Sequence, residues 1–437
     1  MYSPSLWRRA RVPCFLAASL YGLFLSLPLH AATDEEALSL DAATRIAASR
    51  APQVQAQLLR EQAARHDAIR AGRLPDPRLT AGISNLTATG SQALNAAADS
   101  MTMRTIGLMQ EIPSRAKREA EKAVANSGVQ LSAADVVTVR LAVKQATASA
   151  WVRLWAVQTE RKQLQNLHEQ FALAVQLAKA KLRGGTGSAT DVLAARVAAV
   201  ELDKRITAVD AEIAAACAEL QRWLGNDSDG ALAEAPDFST LPVPPAQLLH
   251  DLDRQGPLLG WGAREDQAQA KLDLAKAGKH PNWSVGLVYG SRIHLPDMIG
   301  IEVGVSLPLF PGNRQDQDIS ARYAERDAVK DEHEDARRAQ REAVAAGLAE
   351  WQGDGKQVST YRDQLLPLVT DRSRTALAAY RGGASLQPWL EARRDEINTR
   401  VTYAKALAAW GTAWAQLAFL IPDQDAPLTS TLPEQLP

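Results

Sequence analysis

The sequence contains an internal repeat, in which about 197 residues separate two copies of one pattern. Arg183-Gly184-Gly185 returns as Arg381-Gly382-Gly383, and a serine follows each pair of glycines, at Ser188 and Ser385. Both copies then continue as helical sequence to similar ends. A chain that uses one structural unit twice favours an architecture closed by symmetry over a single catalytic pocket.

Residues 1–31 have the pattern of a secretory signal peptide. Three arginines precede the apolar run Phe15–Leu29, and small residues follow at Ala31 and Ala32. Because this run is shorter than the ~20 residues of a transmembrane helix, we expect cleavage after Ala31 or Ala32 rather than a membrane anchor. The rest of the sequence has no apolar run long enough for such a helix. A mature chain that crosses a membrane would therefore do so as strands.

Composition excludes several classes of function. Without residues 1–31 the formal net charge changes from −1 to −4, and no basic patch indicates binding to nucleic acid. Cys217 is then the one remaining cysteine, which excludes an intramolecular disulfide. The sequence also lacks a phosphate-binding glycine loop, a nucleophile elbow and a closely spaced set of metal ligands. We therefore expect no enzymatic activity, no cofactor and no catalytic or metal site.

A long helical hairpin is predicted in each copy. No proline interrupts residues 114–235, which are rich in strong helix formers, and a helix from Ser114 to Leu182 would be roughly 100 Å long. The glycine pairs predict the turns of the hairpins. Apolar residues spaced by three and four mark seams that need partner helices. The seams comprise Leu164, Leu167, Phe171, Ala174, Ala178 and Leu182; Ile206, Val209, Ile213, Ala216, Leu220 and Trp223; and Leu407, Trp410, Trp414, Leu417 and Ile421.

Each copy also predicts a pair of strands before its helical hairpin. In the second copy, apolar residues alternate with small or polar ones over 283–290 and 301–308. The first copy offers strands at 78–85 and 101–110, but the latter alternates poorly because Ile106 and Leu108 fall on the side assigned as polar. Strands of about ten residues suit a tilted membrane span. Two small soluble hairpins are the alternative.

Methionines lie in or beside these predicted strands, at Met101, Met103, Met109 and Met298. Packing within a barrel is favoured over a soft-metal relay as their explanation.

Four strands cannot close a barrel across a bilayer, because the open edges would leave unpaired backbone groups in hydrocarbon. Three copies would supply twelve strands, enough to surround a water-filled lumen. The predicted fold class is therefore mainly α with a membrane β-barrel part shared by a homotrimer. The predicted boundaries are a signal peptide at 1–31; a first repeat at 32–240 with a helix, a strand hairpin at 78–110 and a helical hairpin at 114–225; a second repeat at 241–422 with a helix, a strand hairpin at 283–310 and a helical hairpin at 313–421; and a C-terminal tail at 423–437.

The order of these elements resembles the TolC-like outer-membrane efflux family over essentially the whole mature chain. Leu38–Ala43 is similar to the opening motif of that family. Tyr380–Ser385 together with Leu390–Ala392 is similar to its helical-tip motif, and Val305–Phe310 resembles its exit from the second strand pair.

Two further segments resemble the cobalt-zinc-cadmium branch, the outer-membrane partners of heavy-metal efflux pumps. These are Leu74–Leu79 and Gln110–Pro113, the latter followed by Lys117 and Arg118. Ala116 stands where that branch usually carries glycine, and the chain lacks the lipid-bearing cysteine of some relatives.

The resemblance implies a passive trimeric duct in the outer membrane of a Gram-negative bacterium, with its helical part in the periplasm. It implies an inner-membrane proton-driven pump and a periplasmic adaptor as partners, and contact with outer-membrane lipid. The adaptor would dock at the two helical tips. The tip residues are Arg183, Gly184, Gly185 and Ser188 in the first copy and Arg381, Gly382, Gly383 and Ser385 in the second.

The candidate gate consists of Asp191, Glu391 and Asp395, at the starts of the helices that return from the tips. In a trimer each carboxylate would form a ring that favours cations. Alternatively, they complement the positive ends of the helix dipoles. Other functions left open are a drug-efflux or type I protein-secretion duct, and a structural coiled-coil protein of the periplasm or cell surface.

Overall fold

The computed structural model describes residues 37–225, 231–293 and 295–422. The predicted signal peptide and C-terminal tail lie outside these residues. The described chain is predominantly helical and contains one sheet of four strands.

The first half begins with two short helices, α1 (Leu40–Arg50) and α2 (Pro52–Arg70). Ser39 caps α1, since its side chain accepts a hydrogen bond from the Ala42 backbone amide at 3.1 Å. Pro52 separates the two helices because a proline fits the first turn of a helix but not its interior. Strands β1 (Arg78–Ser84) and β2 (Met103–Ile112) follow.

The first helical hairpin consists of α3 (Arg115–Arg183) and α4 (Ala189–Leu224). Helix α3 has 69 residues, and at 1.5 Å per residue its length is roughly 100 Å, as predicted. It packs against α4 and α2 and against two helices of the second half. A helix of this length is stabilised mainly by such packing rather than by propensity.

The second half adds α5 (Pro245–His250), α6 (Trp261–Ala277), β3 (Asn282–Arg292) and β4 (Met298–Ser306). Its helical hairpin differs from the first, because the outgoing rod is α7 (Gln315–Thr360), a π-helical turn at Tyr361–Leu365, and α8 (Leu366–Arg381). Pro367 follows the π turn and lacks the amide that a regular helix needs there. The returning helix, α9, spans Gln387–Ala418, so Ile421 lies beyond its end.

The two strand hairpins form one antiparallel sheet in the order β1-β2-β3-β4, with β1 and β4 at its edges. Ile106 pairs with Tyr289, and Leu108 pairs with Leu287, which pairs in turn with Ile301. Because directly paired residues point to the same side of a sheet, Ile106 and Leu108 lie on its apolar face. Their assignment to the polar side was wrong, and β2 alternates in phase with β3.

The two faces of the sheet differ sharply in composition. The apolar face carries Leu79, Ala81, Ile83, Ile106, Leu108, Trp283, Val285, Leu287, Tyr289, Ile299, Ile301, Val303 and Val305. Arg104, Gln110, Ile112 and Ser291 also lie on this face, toward the ends of β2 and β3. The opposite face, which we call the inner face, is built mainly from Gly, Thr, Ser and charged residues. Side chains of the apolar face are widely exposed in the single chain, such as Ile301 at 76%.

The helical seams are largely buried as predicted. Leu164, Leu167 and Phe171 form a cluster with Ala174 and Ala178 that extends toward the tips, but Leu182, predicted as the next member, is exposed. A second cluster surrounds Trp151, whose indole donates to the Leu38 carbonyl at 2.9 Å. None of the helices in the described ranges combines the length and the low polarity needed to cross a membrane.

Candidate functional site

The two helical tips have similar but unequal turns. In the first, α3 ends at Arg183 and Gly184, and Gly185 adopts φ +71°, a conformation that favours glycine. Ser188 then caps α4, with its hydroxyl accepting from the Asp191 amide at 3.0 Å. In the second tip, Arg381 and Gly382 end α8, and Gly383 adopts φ +109°. Ser385 makes no such cap, because α9 begins after Leu386. All eight predicted tip residues are exposed.

The structure brings the two tips together. Lys181 of α3 lies over the ring of Tyr380 in α8, 4.0 Å from its centroid, and donates to the Tyr380 carbonyl. Burial raises the pKa of Tyr380 above its ordinary value, and the nearby Asp191 carboxylate raises that pKa further. Leu386 and Trp389 fill the space between the hairpins, where Trp389 packs against Phe171 at 5.3 Å between ring centroids.

The three gate candidates lie near these tips but do not form one cluster in the chain. Asp191 lies in the first turn of α4, beside Tyr380. Asp395 faces α8 and forms an ion pair with Arg372 at 2.6 Å, both side chains being at least half exposed. Glu391 accepts from Gln387 at 2.9 Å on its own helix.

Glu391 also lines a cavity of about 380 Å³ between α4 and α9. Phe171 and Leu202 contribute apolar walls, and Arg394 spans the cavity toward Glu201 at 3.9 Å. The cavity is lined by side chains of both charge signs, so the single chain forms no purely negative constriction at this cavity. In the described ranges there is no group of three or more His, Cys, Asp or Glu side chains suited to a metal ion.

A buried ionic cluster behind the gate candidates was not predicted. Arg393 and Glu396 are only 2% and 1% exposed, and the Arg393 guanidinium donates to Glu396 at 2.5 Å. Arg400 donates to the same carboxylate at 2.8 Å, and Arg393 also reaches Gln170 of α3. Burial lowers the pKa of Arg393, whereas Glu396 opposes that shift.

The spacing of these residues in the sequence could have predicted the buried cluster. Trp389, Arg393, Glu396 and Arg400 are separated by four, three and four residues, which continues the seam of Leu407 toward the tip. Charged residues at seam positions indicate a paired, buried cluster, because an unpaired charge there would be too costly.

The inner face of the sheet is a second surface that carries charged and hydroxyl side chains. Glu302 and Glu111 lie on it, as do Arg78, Thr80 and Thr105. Glycines leave space beside them. A Cβ atom on Gly286, for example, would lie 3.6 Å from the Glu302 Cβ, an ordinary contact.

Comparisons with known proteins agree with this architecture. A search of curated proteins finds no match. Among solved structures the chain is similar to CusC, with a TM-score of 0.73 and 17% identity over 88% of this chain and 92% of that one. It is similar to the outer membrane protein VceC from Vibrio cholerae, with a TM-score of 0.69 and 17% identity over 87% and 96%. It is also similar to the MtrE outer membrane channel of Neisseria gonorrhoeae, with a TM-score of 0.65 and 17% identity over 87% and 88%.

These similarities show the TolC-like channel fold. The family model described as outer membrane efflux protein matches residues 44–226 and 258–421, which is most of the sequence. The chain therefore belongs to the outer membrane efflux protein family.

Proposed function

We propose that this protein is the outer-membrane channel of a tripartite efflux pump, and that it passively conducts heavy-metal cations to the exterior. Three copies would join their sheets into one barrel of twelve strands, with the apolar faces toward lipid. A periplasmic adaptor would bind the helical tips and connect the channel to a proton-driven pump of the inner membrane.

The sheet carries this proposal. Both of its edge strands are open in the chain, one face is apolar and the other is polar. Such a sheet can enter hydrocarbon only when every edge is paired, and copies of the same chain supply strands of matching length. A soluble coiled-coil protein would explain the long helices but not thirteen exposed side chains on the apolar face.

The proposal that the substrates are heavy-metal cations has less support than the proposal of a membrane barrel. Leu74–Leu79 and Gln110–Pro113 resemble segments of heavy-metal partners, and Glu302 and Glu111 give the inner face carboxylates that attract cations. A drug-efflux or protein-secretion channel remains the alternative, and transport assays in cells lacking their own channel distinguish them. Expression with a matching adaptor and pump is expected to restore growth on heavy-metal salts but not on drugs.

Purified protein tests the channel directly. After extraction from outer membranes in detergent, the particle is expected to have the mass of three chains and to give stepwise currents in a planar bilayer. A monomer in the soluble periplasmic fraction would contradict the proposal.

The candidate gate gives a prediction on ion selectivity. Glu391→Gln combined with Asp395→Asn is expected to reduce the preference for cations, because both changes remove negative charge near the tips and the second also frees Arg372. The measurement is the reversal potential under a salt gradient. Glu342→Gln with Asp335→Asn is the control, since it changes the net charge equally at exposed positions of α7. Equal reversal potentials in all three proteins would show that the carboxylates do not control the ion path.

The tips give a prediction on the adaptor. Photoactivatable crosslinkers at Thr186 and Ala384 are expected to capture it in cells, because both residues are exposed in adjacent turns. Crosslinkers at Ala93 and Ser291, in and beside the loops at the far end of the sheet, serve as controls. Capture from those loops alone would place the adaptor elsewhere.

A further inference from the structure

Three methionines lie on the inner face of the sheet. Met103 pairs with Arg292, Met109 with Gly286, and Met298 with Gly290, and all these residues point away from the apolar face. In the four described strands the apolar face carries no methionine, although thioethers pack well against apolar surroundings. Val288 is the one other large apolar side chain on the inner face. The methionines therefore lie on a face whose other residues are mainly glycine, short polar residues and charged residues such as Arg78 and Arg292.

Packing accounts for only part of this placement. Met103 is half-buried, but Met298 is 48% exposed and Met109 is 36% exposed in the single chain, so much of the surface of these two side chains is not stabilised by burial. On the water-facing side of a barrel, threonine or serine would serve as well structurally. A thioether differs from these residues in one property that is useful in contact with water, because its sulfur is a soft ligand that selects Cu(I) over hard cations.

Two of the sulfurs can reach the same space. A Cβ atom on Gly290 would lie 3.2 Å from Met103 Sδ, so this sulfur lies over Gly290. Gly290 pairs directly with Met298 on the neighbouring strand, and paired residues have Cβ positions about 5 Å apart. The absence of a side chain at Gly290 leaves room between the thioethers of Met103 and Met298. Met109 lies six residues further along β2, roughly 20 Å away at 3.4 Å per residue.

The nearby charges are of both signs. Arg292 is opposite Met103, and its guanidinium donates to the Pro296 carbonyl at 3.0 and 2.8 Å. Asp297, next to Met298, accepts from the Arg292 backbone amide at 3.3 Å. The preference for a soft ion therefore comes from the thioethers, whose sulfurs bind soft cations more strongly than hard ones.

We propose that Met103 and Met298 bind a soft monovalent cation, Cu(I) or Ag(I), over Gly290, at one site in each chain. The site rests on the proposed function and adds soft monovalent metals to the cations that the channel would conduct. It lies at the end of the sheet remote from the helices, where the loop 85–102 joins β2, so it would be the last ligand set on the path outward.

Ag(I) is the probe, because it has the coordination preferences of Cu(I) and does not change oxidation state in air. The purified full-length assembly is titrated by calorimetry in chloride-free nitrate buffer. Cys217, the one cysteine expected in the mature chain, is replaced by alanine in every protein, since a thiolate would bind Ag(I) more tightly than a thioether. Methyl spectra of protein labelled at the methionine methyl groups identify the ligands independently of the affinity.

One Ag(I) per chain is expected, with shifts of the Met103 and Met298 methyl signals. Met103→Leu and Met298→Leu are each expected to weaken binding at least tenfold, and Gly290→Val is expected to do so by filling the space between the sulfurs. Met109→Leu is the matched control and is expected to bind as the parent does. Zn(II) is expected not to compete.

Absence of saturable Ag(I) binding, or binding that survives Met103→Leu with Met298→Leu, would overturn the site. Single-channel currents of the same preparations separate this result from the proposed function. Conducting assemblies that bind no Ag(I) refute the site alone, whereas protein that forms no channel refutes the proposed function.

Discussion

Glu396→Ala is expected to destabilise the tip region by roughly 3–5 kcal/mol, because it leaves the buried guanidinium of Arg393 without its anionic partner. The carboxylate of Glu396 is only 1% exposed and accepts from both Arg393 and Arg400. Water cannot replace it without opening the contact between α9 and α3. The loss is therefore concentrated near the tips and leaves the region around Trp151 intact.

Hydrogen exchange followed by mass spectrometry measures this effect in the assembled protein. Peptides from α8, from the first half of α9 and from α3 near Gln170 are expected to exchange faster by a factor of roughly one hundred or more, since 1.4 kcal/mol corresponds to tenfold. Asp395→Ala is the matched control at the adjacent position. Its ion pair with Arg372 is exposed, so it is expected to cost at most about 1 kcal/mol. Similar exchange in the two variants would mean that the buried cluster does not stabilise the tips.

Leu287→Lys is expected to reduce membrane assembly strongly, at a cost of about 2–4 kcal/mol if the residue lies near the middle of the bilayer. Leu287 is on the apolar face, between Leu108 and Ile301 on the two neighbouring strands. A lysine there would place its charge in hydrocarbon or force the strand out of register.

Gly286→Lys is the control, one residue away and on the inner face. Its Cβ has room beside Glu302, and the ammonium can pair with that carboxylate in water. The measurement is the fraction of each variant that is recovered from the outer membrane as the proposed trimer, at equal expression. Equal losses for the two lysines would mean that the assignment of the faces to lipid and lumen is wrong.

The helices could be predicted because their starts and ends are set by residues that are close together in the sequence. Ser114, a long run without proline and the glycines after Arg183 define the start, interior and end of α3. Each of these signals acts within a few residues. Leu182 was misassigned because the buried seam ends at Ala178, about one turn before the helix does.

The phase of β2 could not be read locally. Met103, Ile106, Leu108 and Met109 are all apolar, so both faces of the strand look hydrophobic in sequence. Register is set by pairing with β3, about 180 residues later, and this pairing also merges the two predicted hairpins into one sheet. The same reassignment places Met103 and Met109 on the inner face. The buried cluster at Arg393 was also not predicted, because the seams were defined by apolar residues and this part of the α9 seam consists of charged ones.

The π-helical turn at Tyr361–Leu365 has a consequence for the symmetry of any assembly of this chain. An additional residue in one turn rotates the residue positions beyond it by roughly 100° relative to an uninterrupted helix, and α3 contains no such turn. The two halves are thus related in sequence but not interchangeable in space. In a ring of three chains, six hairpins of two kinds would alternate. A partner that encircles such a ring would contact the two kinds of hairpin alternately. Its subunits, even if chemically identical, would therefore occupy two inequivalent environments.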